Sequence, residues 1–223
     1  MQSLIETNIS IDILNQLDLH SIQDNSLQIV SSETPNLSRR GFLKQISAVS
    51  AGCLLSSLSN NSFGVIDTQF WQRPKELWLH RQATGEYARF IYFQNGQWDV
   101  RGLRTACYLL RDTHENKSVY MDPKLLDLLR AVYGYFQLNG RIMPLVITSG
   151  FRTVKTNQKL SKEGAVKNSM HLYGKATDFY VPNIPLNTLE ALGKYYQQGG
   201  VGFYPNKHFL HLDTGRIRYW KGK

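Results

Sequence analysis

Two histidines and an aspartate stand out in the last third of this sequence. His171 and Asp178 lie seven residues apart in the run Ser169-Met170-His171-Leu172-Tyr173-Gly174-Lys175-Ala176-Thr177-Asp178, and His211 follows within Phe209-Leu210-His211-Leu212-Asp213. Two imidazoles and a carboxylate suit a catalytic zinc ion, which keeps one position for water and makes that water acidic enough to be a nucleophile near neutral pH. Taken singly, each residue has a plainer explanation, since a lone His in an apolar strand is more often a satisfied core residue. Asp178 is harder to explain that way, because an unpaired carboxylate within a sheet is costly. The combination points to one zinc ion held by His171, Asp178 and His211.

Two further clusters flank these residues. Ser149-Gly150-Phe151-Arg152 places an arginine just past a glycine turn, and Gly199-Gly200-Val201-Gly202 strips the side chains from one stretch. Glycines in a strand permit close approach of a substrate backbone, or else tight packing under the preceding helix.

The elements that must position these groups follow from periodicity and caps. Residues 77–82 and 87–93 are rich in aromatic and aliphatic side chains and predict a hairpin, with Asn95-Gly96 turning the chain again. Asp99 predicts a helix start running to about Leu110, and Asp122-Pro123 a second. In that second stretch Leu125, Leu128, Leu129, Val132, Tyr133 and Phe136 recur at three- and four-residue steps, a buried stripe. Met143–Thr148 and Lys175–Val181 predict strands, Asn187 a third helix to about Gln197. Gly199–Tyr204, Phe209–Asp213 and Arg216–Tyr219 complete the strands. If the strands of Asp178 and His211 are antiparallel neighbours, the two residues come within about 5 Å. Helices and strands are segregated rather than alternating, which predicts an α+β fold: a single small domain with a central antiparallel sheet flanked by helices.

The series SGFR, SMHLYGKATDF, GGVGFY and FLHLDTGRIRYW resembles the zinc peptidases that cleave peptidoglycan peptides, the group shared by lysostaphin-type enzymes, D-alanyl-D-alanine carboxypeptidases and hedgehog domains. It is most similar to the murein endopeptidase K branch, and the resemblance covers roughly residues 76–220. It implies the same three zinc ligands, and a substrate-facing role for Arg152, Ser149 and Ser169. A guanidinium can hold a peptide carboxylate bidentately, although a structural ion pair would also explain Arg152, and a loop cap would explain Ser169. Many relatives carry a carboxylate three residues before the last zinc-binding His, where this chain has His208. Two candidates remain for the general base. Asp213 shares the strand face of His211 by the period of two, and His208 occupies the expected position. Tyr173 and Tyr180 are candidates to line the cleft.

Composition narrows the setting. The 223 residues, 12% aromatic, suffice for one globular domain plus a tail and exclude wholesale disorder. Cys53 and Cys107 alone cannot build a disulfide scaffold, and Cys107 reads as a buried small hydrophobe. Of 17 acidic residues, five lie in 1–37, which has no Lys or Arg, leaving all 26 basic residues against 12 acids in the remainder. Such a body associates with a polyanion: nucleic acid, an anionic membrane or an anionic wall polymer. Ser38-Arg39-Arg40-Gly41-Phe42-Leu43-Lys44 before the apolar run 46–58 matches a twin-arginine export signal. Export removes nucleic acid from the candidates and brings peptidoglycan forward.

The expected organisation is therefore a leader over 1–63 with the signal at 38–58, a linker over 64–75 and a zinc peptidase domain over 76–223. The leading expectation is an exported murein endopeptidase, monomeric, handled by the twin-arginine translocation machinery and located in the periplasm or cell envelope. It would be membrane-anchored if the signal is not cleaved or Cys53 is lipidated. The alternatives are a D-alanyl carboxypeptidase acting on stem peptides and a non-catalytic wall-binding module of the same fold.

Overall fold

Helix starts are set by two aspartates. Asp99 and Asp122 each accept a backbone N–H from the first turn that follows, those of Gly102 and Lys124. Pro123 adds a preset φ at the first helical position. The computed structural model describes residues 68–161 and 166–222. Its helices are α1 (Thr68–Gln72), α2 (Val100–Leu109), α3 (Pro123–Leu138), α4 (Val154–Ser161) and α5 (Leu186–Tyr196). The strands are β1 (Lys75–Arg81), β2 (Tyr87–Gln94), β3 (Gln97–Trp98), β4 (Leu145–Ser149), β5 (Ala176–Tyr180), β6 (Gly200–Tyr204), β7 (Phe209–Asp213) and β8 (Arg218–Lys221).

These strands form one eight-stranded sheet in the order β3-β2-β1-β4-β5-β7-β6-β8. The α+β class holds, but the sheet is mixed rather than antiparallel throughout. β4, β5, β7 and β6 run antiparallel at its centre, whereas β1 pairs with β4, and β6 with β8, in parallel. Helices α2 and α3 supply the long crossover that the parallel β1–β4 pair requires. Side chains alternate across the central strands. Phe179, Leu210 and Leu212 are fully buried on the face where α5 packs, with Gly193 of that helix against Leu212 and Val201. Asp178 and His211, cross-strand partners in the β5–β7 ladder, share the other face.

The helical core is the predicted stripe: Leu125, Leu129 and Val132 have no exposed surface, and Leu128, Tyr133 and Phe136 are nearly as buried. Cys107 is also buried, and burial pushes its thiol up to about 11. Residues 68–75, inside the stretch expected as a linker, form α1 and the start of β1. Phe70 of α1 is buried there, with Arg130 stacked over its ring at 4.2 Å. Helix α4 has no counterpart in the sequence reading, because Val154-Lys155-Thr156-Asn157-Gln158-Lys159-Leu160 shows no apolar stripe. Helix α5 begins after Pro185, one residue before the expected Asn187, and β8 sits two residues beyond its expected start. The twin-arginine segment 38–58 and Cys53 lie outside the described residues, among which no helix is long and apolar enough to cross a membrane.

Candidate metal centre

His171, Asp178 and His211 converge on one point. The β5–β7 register sets Asp178 opposite His211, and His211 Nδ1 lies 2.8 Å from Asp178 Oδ1. His171 arrives from a different element, a short 3₁₀ turn over Met170–Tyr173. Its Nε2 sits 3.2 Å from both Asp178 Oδ1 and His211 Nδ1. Ser169 caps that turn, its hydroxyl accepting the His171 N–H, and Gly174 closes it in the left-handed conformation at φ 63°. All three residues are buried.

The outer edge of each imidazole fixes its tautomer. His171 Nδ1 donates to the Gly150 carbonyl at 2.6 Å, and His211 Nε2 donates to Asp213 Oδ2 at 2.8 Å. A carbonyl and an ionised carboxylate can only accept, so the ring protons sit on these outer nitrogens. With that proton alone on each ring, the inner nitrogens present lone pairs, facing each other and a carboxylate oxygen in a buried space. Three acceptors with no donor among them repel unless a cation lies between them. Tetrahedral zinc with bonds of about 2.0–2.1 Å holds its ligand atoms roughly 3.4 Å apart, close to the separations here. The donor set and the spacing both fit such an ion.

Protons on the imidazoles can supply that positive charge in place of an ion, and the titration of the cluster reflects them. Burial alone would raise Asp178, but the charge of His171 and hydrogen bonds from both imidazoles hold its carboxyl well below the ordinary range. Burial would lower His211, yet hydrogen bonds to Asp178 and Asp213 raise it overall. His171 moves down, driven by burial and by the nearby Arg152 charge against the pull of Asp178.

The SGFR segment is built around His171. Arg152 places Nε on Ser149 Oγ at 2.8 Å and Nη2 on Asp178 Oδ2, while its backbone N–H donates to the His171 carbonyl. Arg152 thus orients the Asp178 carboxylate, and Ser149 orients Arg152. Gly150 is needed for space: a Cβ there would lie 2.2 Å from the Leu110 carbonyl oxygen. Gly150→Ala is expected to lower stability by about 1–3 kcal/mol in denaturant unfolding. A loss below about 0.5 kcal/mol would mean that the Leu110 backbone yields.

The glycines of β6 also have neighbours the sequence reading did not give them. A Cβ at Gly200 would strike Asp213 and Arg218, and one at Gly202 would strike the Trp220 ring. The stripped strand therefore makes room for the groups behind His211, not for a substrate backbone. Arg218 grips Asp213 with Nη1–Oδ1 at 3.0 Å and Nη2–Oδ2 at 2.7 Å, and Trp220 packs on the His211 ring at 5.2 Å. Sequence reasoning missed both residues, although Asp213 and Arg218 at the ends of one turn offered a charge-pair signal.

Neither candidate base faces the cluster. Asp213 does share the face of His211, but it has no exposed surface and lies beyond His211 on the Nε2 side. There it also accepts the N–H groups of Gly200 and Gly215. Arg218 and His211 hold its carboxyl below the usual range against the effect of burial. His208 is exposed at φ 56°, with its ring beside Tyr180 at 5.5 Å. A cavity of about 770 Å³ opens over the cluster. Arg152, Ser149 and Ser169 line it, whereas His208, Tyr173 and Tyr180 do not. Among the described residues the lining carboxylates are Asp178 and Asp112, and Asp112 is occupied by the backbone N–H groups of His114, Glu115 and Thr153.

Comparison with known proteins places this arrangement in a family. Residues 70–220 match the family model Peptidase_M15_2, described as peptidoglycan L,D-endopeptidase MepK. The peptidoglycan L,D-endopeptidase MepK of Escherichia coli strain K12 is 34% identical over 150 residues, covering 66% of this chain and 81% of that protein. The probable peptidoglycan L,D-endopeptidase MepK of Haemophilus influenzae is 31% identical over 170 residues, covering 75% of this chain and 89% of the relative. No solved structure matches the chain. The converging residues, the Arg152 turn and the Arg218–Trp220 strand all fall inside the matched region, and the chain belongs to the peptidoglycan L,D-endopeptidase MepK family.

Proposed function

We propose that this protein is an exported zinc metallopeptidase that hydrolyses the peptide crosslinks of peptidoglycan, with the L,D-crosslinks named for its relatives as the preferred bonds. The observation that carries the chemistry is the buried convergence of His171 Nε2, Asp178 Oδ1 and His211 Nδ1 at the floor of an open cavity. One zinc ion held there supplies Lewis-acid polarisation of the scissile carbonyl and acidifies a water ligand.

The chain's own residues do the rest. Arg152 and Ser149 hold Asp178 in its ligating orientation, Ser169 sets the turn that carries His171, and Asp213 with Arg218 and Trp220 fixes the plane of His211. Asp213 is a positioning residue rather than a proton carrier, since His211 stands between it and the ligand point. The cavity is wide enough for a peptide, and the surplus of basic residues favours an anionic wall polymer as the substrate. Residues 38–58 would route the protein through the twin-arginine machinery to the periplasm, where it works as a monomer.

The test incubates the zinc-loaded protein with isolated peptidoglycan and follows products by chromatography and mass spectrometry, with His171→Ala as control. Crosslinked dimers should convert to monomers in the wild type only, with the L,D-linked dimers consumed first. Release of terminal alanine alone would make the enzyme a carboxypeptidase. An unchanged digest with zinc bound would leave a wall-binding module.

A further inference from the structure

A second charged feature lines the same cavity. Arg81, the last residue of β1, pairs with Ile147 of β4 and is 3% exposed. Among the described residues its Nη2 reaches only Arg111 O and Thr113 Oγ1, both at 3.4 Å, the outer edge of hydrogen-bonding range. Nε and Nη1, which carry three N–H donors, are buried with no partner among the described residues.

The surrounding charges do not answer it. Arg111 is committed to Glu86 at 2.9 Å, Arg152 to Asp178, and Asp112 to backbone amides. Among the described residues no carboxylate forms an ion pair with Arg81. Burial, joined by Arg111 and Arg152 and opposed by Asp112 and Asp178, pushes its guanidinium down to about 10, so it remains charged at neutral pH. A buried cation with unspent donors on a cavity wall lacks an anion.

We infer that Arg81 forms a carboxylate-binding subsite of the cavity, which takes the free carboxylate adjoining the crosslink. Resting on the function proposed above, this names what the site recognises in its substrate. In a crosslink whose acceptor is diaminopimelate, the carbon attached to the scissile nitrogen bears a free carboxylate. A group so close to the reacting amide falls within the cavity that holds both the ligand cluster and Arg81. Two donors on one guanidinium would bind it with charge-assisted hydrogen bonds, and an amide in its place would find no match.

The experiment uses purified crosslinked muropeptide dimers in two forms, with that carboxylate free or amidated, and the full zinc-loaded chain. Wild type should cleave the free form with kcat/KM about 10–100-fold above the amidated form. In Arg81→Gln the ratio should fall to near one, mostly through KM, with zinc content and melting temperature confirming the fold. Arg81→Lys should recover part of the preference and serves as the variant of record if Arg81→Gln does not fold. Equal cleavage of the two forms by wild type overturns the subsite, and so does a preference undiminished in Arg81→Gln or, where that variant does not fold, in Arg81→Lys, which would transfer it to Arg152. If wild type cleaves neither dimer, the function proposed above fails. Calorimetric binding of the two dimers to wild type and Arg81→Lys then still decides the subsite: unequal affinities that converge in the variant support it, and equal affinities overturn it.

Discussion

Zinc binding by the His171→Ala protein should weaken by about a hundredfold or more, and crosslink cleavage should fall with it. Structural zinc in small peptides is bound by roughly 10–16 kcal/mol over four ligands, about 3 kcal/mol for each, and 1.4 kcal/mol is a factor of ten. His171 is also the ligand whose position depends on the most separate contacts. Its turn is capped by Ser169, its ring is held by Gly150, and its carbonyl receives the Arg152 N–H. Removing the ring leaves Asp178 and His211 2.8 Å apart, an incomplete ligand set. Competition titration with a zinc chelator, run beside the peptidoglycan digest, measures both effects. Full zinc affinity in the variant would remove His171 from the site.

Asp213→Asn should lower zinc affinity or turnover by about 10–100-fold, the usual range for a partner on the outer nitrogen of a ligating imidazole. The amide can no longer offer two anionic oxygens to His211 and Arg218 together, so the ring loses its fixed tautomer and Arg218 its bidentate grip. A positioning role predicts that zinc affinity moves with activity, and that Arg218→Ala reproduces part of the loss. A general-base role predicts instead a collapse of kcat in a protein that binds zinc as tightly as wild type. Chelator competition and kcat on the same preparations separate the two.

The unequal legibility of the fold has physical causes. The β5–β7 pairing and the capped starts of α2 and α3 were readable because each leaves a local mark: period-two apolar residues in the strands, Asp99 and Asp122 before the helices. The convergence of His171, Asp178 and His211 was readable because few residue types offer lone pairs to a metal. Helix α4 left no mark, since its polar sequence carries no stripe, and the parallel β1–β4 pair joins strands more than sixty residues apart. Period two placed Asp213 on the correct face. It could not show that His211 directs its inner nitrogen to the cluster and its outer one to Asp213, because that depends on ring rotation and not on strand register. Arg81 escaped notice for a related reason: an unspent donor is visible only once every neighbour's partner is known.

The peptide after β4 bears on how far such a protein can be improved. Phe151 N–H is tied to Leu110 at the end of α2, and the preceding carbonyl holds His171. A repacked α2 that moved Leu110 by half an ångström would thus shift the His171 ring through a single planar peptide. Selection for heat tolerance and selection for turnover meet at that junction, so gains in robustness are better sought elsewhere, in the exposed loops and on the outer faces of α3 and α5. The buried core beside α2 is the place where an engineer would find stability traded against catalysis.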